Sequence, residues 1–227
     1  MRNPDNSEAT KIERLISDID EKCIRLETGT LGCEYYKSLG IDPVELPALG
    51  VKYHKGLTMW SEEEGKREKV GEFPALIYKT RDKSGRDSGR IIDYFVESNR
   101  LERRYLNRDN AADSFRQVVL RSMGDRKSIT VGVGIEDTLA WWQLFGEKVG
   151  GGLTAMLSYS NLQESVSPFP AANVQILINY IDGVSKNRQR SIAYSAAYGM
   201  EKAGINVSVH DPQLVYTDNS NSFLERL

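Results

Sequence analysis

With 227 residues and 40% apolar side chains, the chain is long enough to build one large or two small domains with buried cores. Its 32 acidic against 30 basic residues leave a net charge of -2, which excludes a protein that grips nucleic acid through bulk positive charge, so any such contact must come from a local patch. The only cysteines, Cys23 and Cys33, exclude a disulfide framework, and with only His54 and His210 beside them no structural zinc site is indicated.

The start, MRNPDNSEAT, has no apolar signal core, and no uninterrupted apolar run of about 18 residues follows, so the expectation is a cytoplasmic protein without a membrane partner. Residues 1 to 7 read as a disordered tail. Ile12, Leu15, Ile16, Ile19, Cys23 and Leu26 then recur at helical spacing, which predicts an amphipathic helix ending near Gly29. A short helix from Cys33 to Leu39 stops at Gly40, and the loop IDPVELPALG leads into the strand VKYHKGLTMW. The charged tract SEEEGKREKVGE reads as an exposed turn. Strands FPALIYKTR, RIIDYFVES and LERRYLN follow, the first two separated by the turn DKSGRDSG, so this part reads as an antiparallel sheet with flanking helices.

After Asp125 the pattern changes. The short apolar strands ITVGVG, AMLSY, VQILINYI and INVSVHD alternate with the helical stretches EDTLAWWQLFGEKV, NLQES and KNRQRSIAYSAAYGMEKAG, and that alternation implies a parallel sheet. The expected organisation is an N-terminal tail and helix over 1–32, a small basic α+β domain over 33–124 and an α/β domain over 125–227.

Four segments in order, GIEDTLAWWQLFG, AMLSYSNLQE, ILINYIDG and EKAGINVSVHDP, resemble the Toprim domain of phage and plasmid primase-helicases over about Ser128 to Leu224. EYYKSLGI, LGVKYHKG and FPALIYKTRDKSGRDSGR are similar to the small domain that precedes Toprim in primase cores, where a basic sheet surface meets template. The resemblance implies an α/β fold, a Toprim-like parallel sheet flanked by helices, preceded by a small, mainly antiparallel α+β domain.

Toprim chemistry sets magnesium between carboxylates and phosphate oxygens, because a hard octahedral ion needs oxygen ligands and neutralises charge developing during phosphoryl transfer. On the resemblance, Val133 stands at the position of the first strand's glutamate and Tyr180 at the first aspartate of Asp-x-Asp, leaving Asp182 as the metal and catalytic candidate. Asn219 and Ser222 stand where a closing motif would carry aspartates. Glu136 and Asp137, three and four residues after Val133, have two readings. They complete a rearranged acidic site with Asp182, or they are first-turn acids that favour a helix N-terminus by about 0.3 to 1 kcal/mol. Asp182 before Gly183 also has a capping reading. The expectation is no cofactor, with magnesium if the chain is catalytically active.

Lys79, Arg81, Lys83, Arg86 and Arg90 cluster around the expected hairpin, Arg103 and Arg104 lie on a later strand, and Arg188 and Arg190 follow Asp182. Such residues form either a solvated face or phosphate contacts, for which the planar guanidinium fork is suited. Tyr78, Tyr94 and Tyr105 could stack on bases, worth about 1 to 3 kcal/mol each, although strand alternation buries some of them. Trp141 and Trp142 are about 100° apart on a helix, so one belongs in the core and the other at an edge, where exposure would suggest a protein partner. Cys33 paired with His54 or His210 could make a nucleophile and base, but nothing marks an activated thiol and a packed cysteine is the stronger reading. VGVGIED lacks the third glycine of a dinucleotide fingerprint. GEKVGGG reads as a loop whose amides could hold an anion.

The leading expectation is a degenerate primase-like protein, from a mobile element, that binds single-stranded DNA or another nucleic acid, or a replication partner. One alternative is an active magnesium-dependent primase, nucleotidyl transferase or nuclease built on Glu136, Asp137 and Asp182. Another is a primase mimic that binds a helicase or primase without touching DNA.

Overall fold

A computed structural model describes residues 4–43, 46, 50–63, 66–82, 84–97, 100–108, 117–123, 127–164, 173–181 and 183–215. The chain divides into two compact units: Met1–Ser38 with Pro43–Thr80 and Asp87–Ala112, and Leu39–Asp42 with Arg81–Arg86 and Asp113–Leu227. No helix among the described residues is long and apolar enough to cross a membrane.

The first unit contains α1 (Pro4–Lys22), β1 (Ile24–Arg25), α2 (Leu31–Ser38), β2 (Lys52–Glu63), β3 (Lys66–Arg81), β4 (Asp87–Glu97) and β5 (Arg100–Asn107). β1 pairs antiparallel with β2, β2 with β3 and β4 with β5, and β3 also pairs with β4. α1 starts at Pro4 instead of after a seven-residue tail; proline suits a first helical turn because it lacks an N–H that would go unpaired there. The apolar spacing runs on to Leu26, but the helix ends at Lys22 and Ile24–Arg25 leave it to pair with β2. Most of SEEEGKREKVGE is strand: residues 61–63 end β2 and residues 66–72 belong to β3, while Glu64 and Gly65 lie outside the described residues. The β2–β3 ladder continues out to Glu63 opposite Lys66. Ile19 of α1 packs with Leu57, Met59, Ala75, Ile77, Ile92 and Tyr94 in this unit's core.

The second unit contains β6 (Gln117–Arg121), β7 (Ser128–Val133), α3 (Ile135–Val149), β8 (Gly152–Met156), α4 (Tyr159–Glu164), β9 (Asn173–Leu177), α5 (Lys186–Lys202), β10 (Asn206–His210) and α6 (Pro212–Val215). The strand order is β6-β8-β7-β9-β10, with β8 and β9 parallel to β7, β10 parallel to β9, and β6 antiparallel to β8. β6 has no counterpart among the strands expected from the sequence; its five residues are too few for alternation to mark. Ile129, Val131 and Val133 of β7 join Val174 and Ile176 of β9 and the alanine face of α5 in one apolar cluster. The alternate residues face α3: a methyl group on Gly132 would lie 2.2 Å from the Thr138 hydroxyl, so a side chain there would collide. Burial on both faces is fullest in β7 and β8, as in a parallel sheet covered on both sides.

Candidate functional site

In an open parallel sheet, ligands bind beyond the carboxyl ends of the strands, so the residues that follow β7, β9 and β10 define the place to look in the second unit. Gly134 carries the turn from β7 into α3 at φ 91°, a backbone region where a side chain is strained, and its N–H donates to the Met156 carbonyl at 2.9 Å. Val133, just before it, is 2% exposed and belongs to the apolar cluster that also holds Tyr159 and Tyr180.

Amide and hydroxyl groups bind this edge together. Asn179, just past β9, donates from Nδ2 to the Val133 carbonyl at 3.2 Å and to Asp137 Oδ2 at 2.5 Å. Its backbone N–H donates to the Tyr159 hydroxyl at 3.1 Å, and that hydroxyl donates to the Asn179 carbonyl at 2.8 Å. Asp137 is therefore held by a neutral amide, with Glu136 half-buried one residue before it.

The next residue, Tyr180, donates its hydroxyl to Asp211 Oδ2 at 2.8 Å. Arg190 Nε reaches the same carboxylate oxygen at 2.8 Å and the Tyr180 hydroxyl at 3.1 Å, and Asp211 Oδ1 accepts the Gln213 backbone N–H at 3.0 Å. Burial first, and then the neighbouring Asp211 charge, push the Tyr180 hydroxyl up to about 12, so it stays a proton donor at neutral pH. Gln189 ties down the turn between β9 and α5, accepting from Ile181 N–H at 2.9 Å and donating to the Ile181 and Val184 carbonyls, each at 2.8 Å. Asp182 lies outside the described residues, as do Lys83, Asn219 and Ser222.

Of the described groups at this edge, those just beyond β9 are not the carboxylates that a two-metal site uses. Beyond β9 stand an amide and a phenol, and the buried Asp211 carboxylate already has a guanidinium partner. Among the described residues, no three His, Cys, Asp or Glu side chains gather as metal ligands do. Asp211, Asn179 and Gln189 are the residues here that sequence reasoning passed over. Asp211 had a visible signal, an acid directly after the closing strand; Asn179 and Gln189 had none, because an amide's role depends on the carbonyls it reaches.

The expected nucleic-acid residues fall in both units. In the first, Lys79 pairs with Asp87 at 3.0 Å, Arg103 forms a two-point contact with the buried Asp93, each bond 2.7 Å, and Arg104 pairs with Glu102. Arg90 corrects the expectation: its side chain is 5% exposed and bonds Asp20 at 2.5 Å, Asp87 at 2.8 Å and the Gly89 carbonyl at 2.7 Å. A guanidinium so enclosed is a structural crosslink between α1 and β4, not a phosphate contact. In the second unit Arg81 is half-buried, Arg86 pairs with Asp82 at 2.9 Å while 76% exposed, Arg188 is exposed and Arg190 is committed to Asp211.

The strand tyrosines sort as alternation implies, whereas the tryptophans differ from the expectation. Tyr78 and Tyr94 are buried; Tyr78 shares a 2.6 Å hydrogen bond with Tyr36, and Tyr94 donates to the Thr58 carbonyl at 3.1 Å. Of these three strand tyrosines, Tyr105 is the exposed one, at 47%. Trp141 and Trp142 are both buried, Trp142 with the Arg121 guanidinium 4.9 Å from its ring; the exposed tryptophan is Trp60, at 43%. Cys33 is a packed core residue.

This is the architecture of a primase-type catalytic core, with a Toprim-like α/β unit and an antiparallel unit. No family profile and no curated protein matches the chain. Among solved structures it is similar to the zinc-binding and RNA polymerase domains of the Aquifex aeolicus primase, at TM-score 0.52 and 18% identity over 99% of this chain and 61% of that one. It is also similar to a DnaG catalytic core, at TM-score 0.55 and 13% identity over 93% and 76% of the two chains. A DnaG primase catalytic domain bound to single-stranded DNA matches at TM-score 0.53 and 15% identity over 96% and 80%. The chain thus spans about three fifths of the Aquifex protein, and likeness at these identities speaks for the fold.

Proposed function

We propose that this chain is a catalytically degenerate, primase-like protein that binds single-stranded nucleic acid through its fold without running metal-dependent transfer. The observation that carries the reading is Tyr180. At a position where the Toprim resemblance expects an acid, a phenol donates to a carboxylate that Arg190 already neutralises. Among the described residues of this edge, the charges of Asp211 and Arg190 are spent on each other.

Strand binding is supported by the likeness to a DnaG domain bound to single-stranded DNA and by two exposed arginines, Arg86 and Arg188, whose planar guanidinium suits phosphate. With a net charge of -2, this affinity has to come from few contacts and has to weaken as salt rises. Fluorescence anisotropy of a labelled oligothymidylate, titrated at several salt concentrations, tests it. Binding should fall linearly on logarithmic axes, and Arg188→Ala should reduce the slope by about 0.7, the value for one single-strand phosphate contact. Salt-independent binding, or none at low salt, overturns the reading.

A further inference from the structure

The first unit holds a groove of about 580 Å³, well away in sequence from the Toprim-like edge, walled by α1, β2 and β5. That is within the size of a small-molecule site. Its making can be read from the strand register. One extra residue in β2 between His54 and Leu57 breaks the pairing with β3, and there the Gly56 N–H donates to His54 Nδ1 at 3.2 Å.

That bond fixes the tautomer. A nitrogen that accepts carries no proton, so the neutral ring bears its hydrogen on Nε2. Among the described residues, His54 Nε2 is buried without a hydrogen-bond partner, although His54 lines the groove and is 7% exposed overall. Burial, and secondarily the Lys22 charge, hold His54 below the usual imidazole range, so the neutral donor form persists at physiological pH. A buried donor left unmade is costly, and it asks for an acceptor from outside.

The other lining groups narrow the ligand. Trp60 and Tyr105 bring exposed aromatic rings to the groove, which suits a flat partner. Lys22 and Arg104 are balanced there by Asp18 and Glu72, so the groove does not suit a run of phosphates. We propose that this groove binds a single nucleobase, its ring against Trp60 and Tyr105 and a base carbonyl or ring nitrogen accepting from His54 Nε2. The inference extends the nucleic-acid reading above and places base recognition in the first unit, apart from the phosphate contacts assigned to Arg86 and Arg188.

Titrating the full chain with thymidine 5′-monophosphate and, separately, with an eight-residue oligothymidylate, while following tryptophan emission, tests it. Trp141 and Trp142 are buried, so Trp60 is the accessible reporter. Saturable quenching that disappears in Trp60→Phe is expected, with affinity roughly tenfold or more weaker in His54→Leu and retained in His54→Gln, which keeps a donor. Tyr105→Ala, a change on an exposed strand, should weaken binding too, and serves if His54→Leu fails to fold. Quenching by both probes identifies a free nucleotide as sufficient; quenching by the oligomer alone identifies a base within a strand. No saturable quenching by either, or equal affinity of wild type, His54→Leu and Tyr105→Ala, overturns the proposal. Oligomer binding seen by anisotropy without quenching of Trp60 rejects the groove and leaves the nucleic-acid reading standing.

Discussion

Tyr180 and Asp211 share a 2.8 Å hydrogen bond in which the phenol donates to a carboxylate whose side chain is fully buried. Two carboxylates at that separation would repel, and one would have to take up a proton or share a cation. A phenol beside the carboxylate removes the conflict, and the Arg190 guanidinium completes the neutralisation. Tyr180 is thus a residue that holds the strand ends together.

Removing either partner should therefore cost stability. Tyr180→Phe deletes one donor to Asp211 and should destabilise by about 1 kcal/mol, whereas Arg190→Leu deletes the charged donor and should cost roughly 1.5 to 3 kcal/mol. Urea denaturation monitored by circular dichroism measures both, and the order matters more than the sizes. A larger loss in Tyr180→Phe would contradict the arrangement.

An acid introduced at Val133 should not confer magnesium-dependent chemistry. Val133 packs among apolar side chains, and a glutamate there would sit as an unpaired buried acid, at a cost of about 3 to 5 kcal/mol. Val133→Glu is expected to lower the urea midpoint and to give no magnesium-dependent product; a stable, active variant would show that the site needs only this one group.

Arg90 predicts acid sensitivity in the first unit. Burial pushes Asp20 and Asp87 towards protonation, but the hydrogen bonds and charge of Arg90 outweigh it and hold both below the ordinary carboxylate range. A carboxylate with a lowered folded value stabilises the protein above its unfolded value, and that contribution is lost as pH falls through the folded one. Stability should be level from about pH 7 to 5 and decline below about 4. In Arg90→Met the plateau should be lower and the acid decline shallower.

Cys23 should be a poor nucleophile. Burial, the largest cause, pushes its thiol up to about 11, leaving roughly one thiolate in a thousand at pH 8. Thiol-reagent release in the native protein should be slow for both cysteines and rapid in urea. Fast native reaction of one thiol would reopen a cysteine-based chemistry.

Much of the fold is written in local patterns, and the exceptions share a cause. The β7–α3 turn is legible because Gly134 needs a positive φ and the apolar period switches there from strand to helix. The phosphate candidates are less legible, since Arg90 and Arg188 have the same side chain and differ only in what folds over them: Asp20, seventy residues away in sequence, encloses the first. Trp142 is buried with Arg121 near its ring and Trp60 is left exposed at a strand register shift, and neither fact has a sequence period. β6 and β1 are stabilised by their neighbours in the ladder more than by their own short sequences.

The central claim is that the retained fold no longer performs magnesium-dependent transfer. The most direct test is template-directed primer synthesis, with strand cleavage scored in parallel, by the full chain and Asp182→Ala at matched magnesium concentrations. The account predicts no product above background from either protein, while both still bind single strands. Product made by the wild type and lost in Asp182→Ala would contradict it.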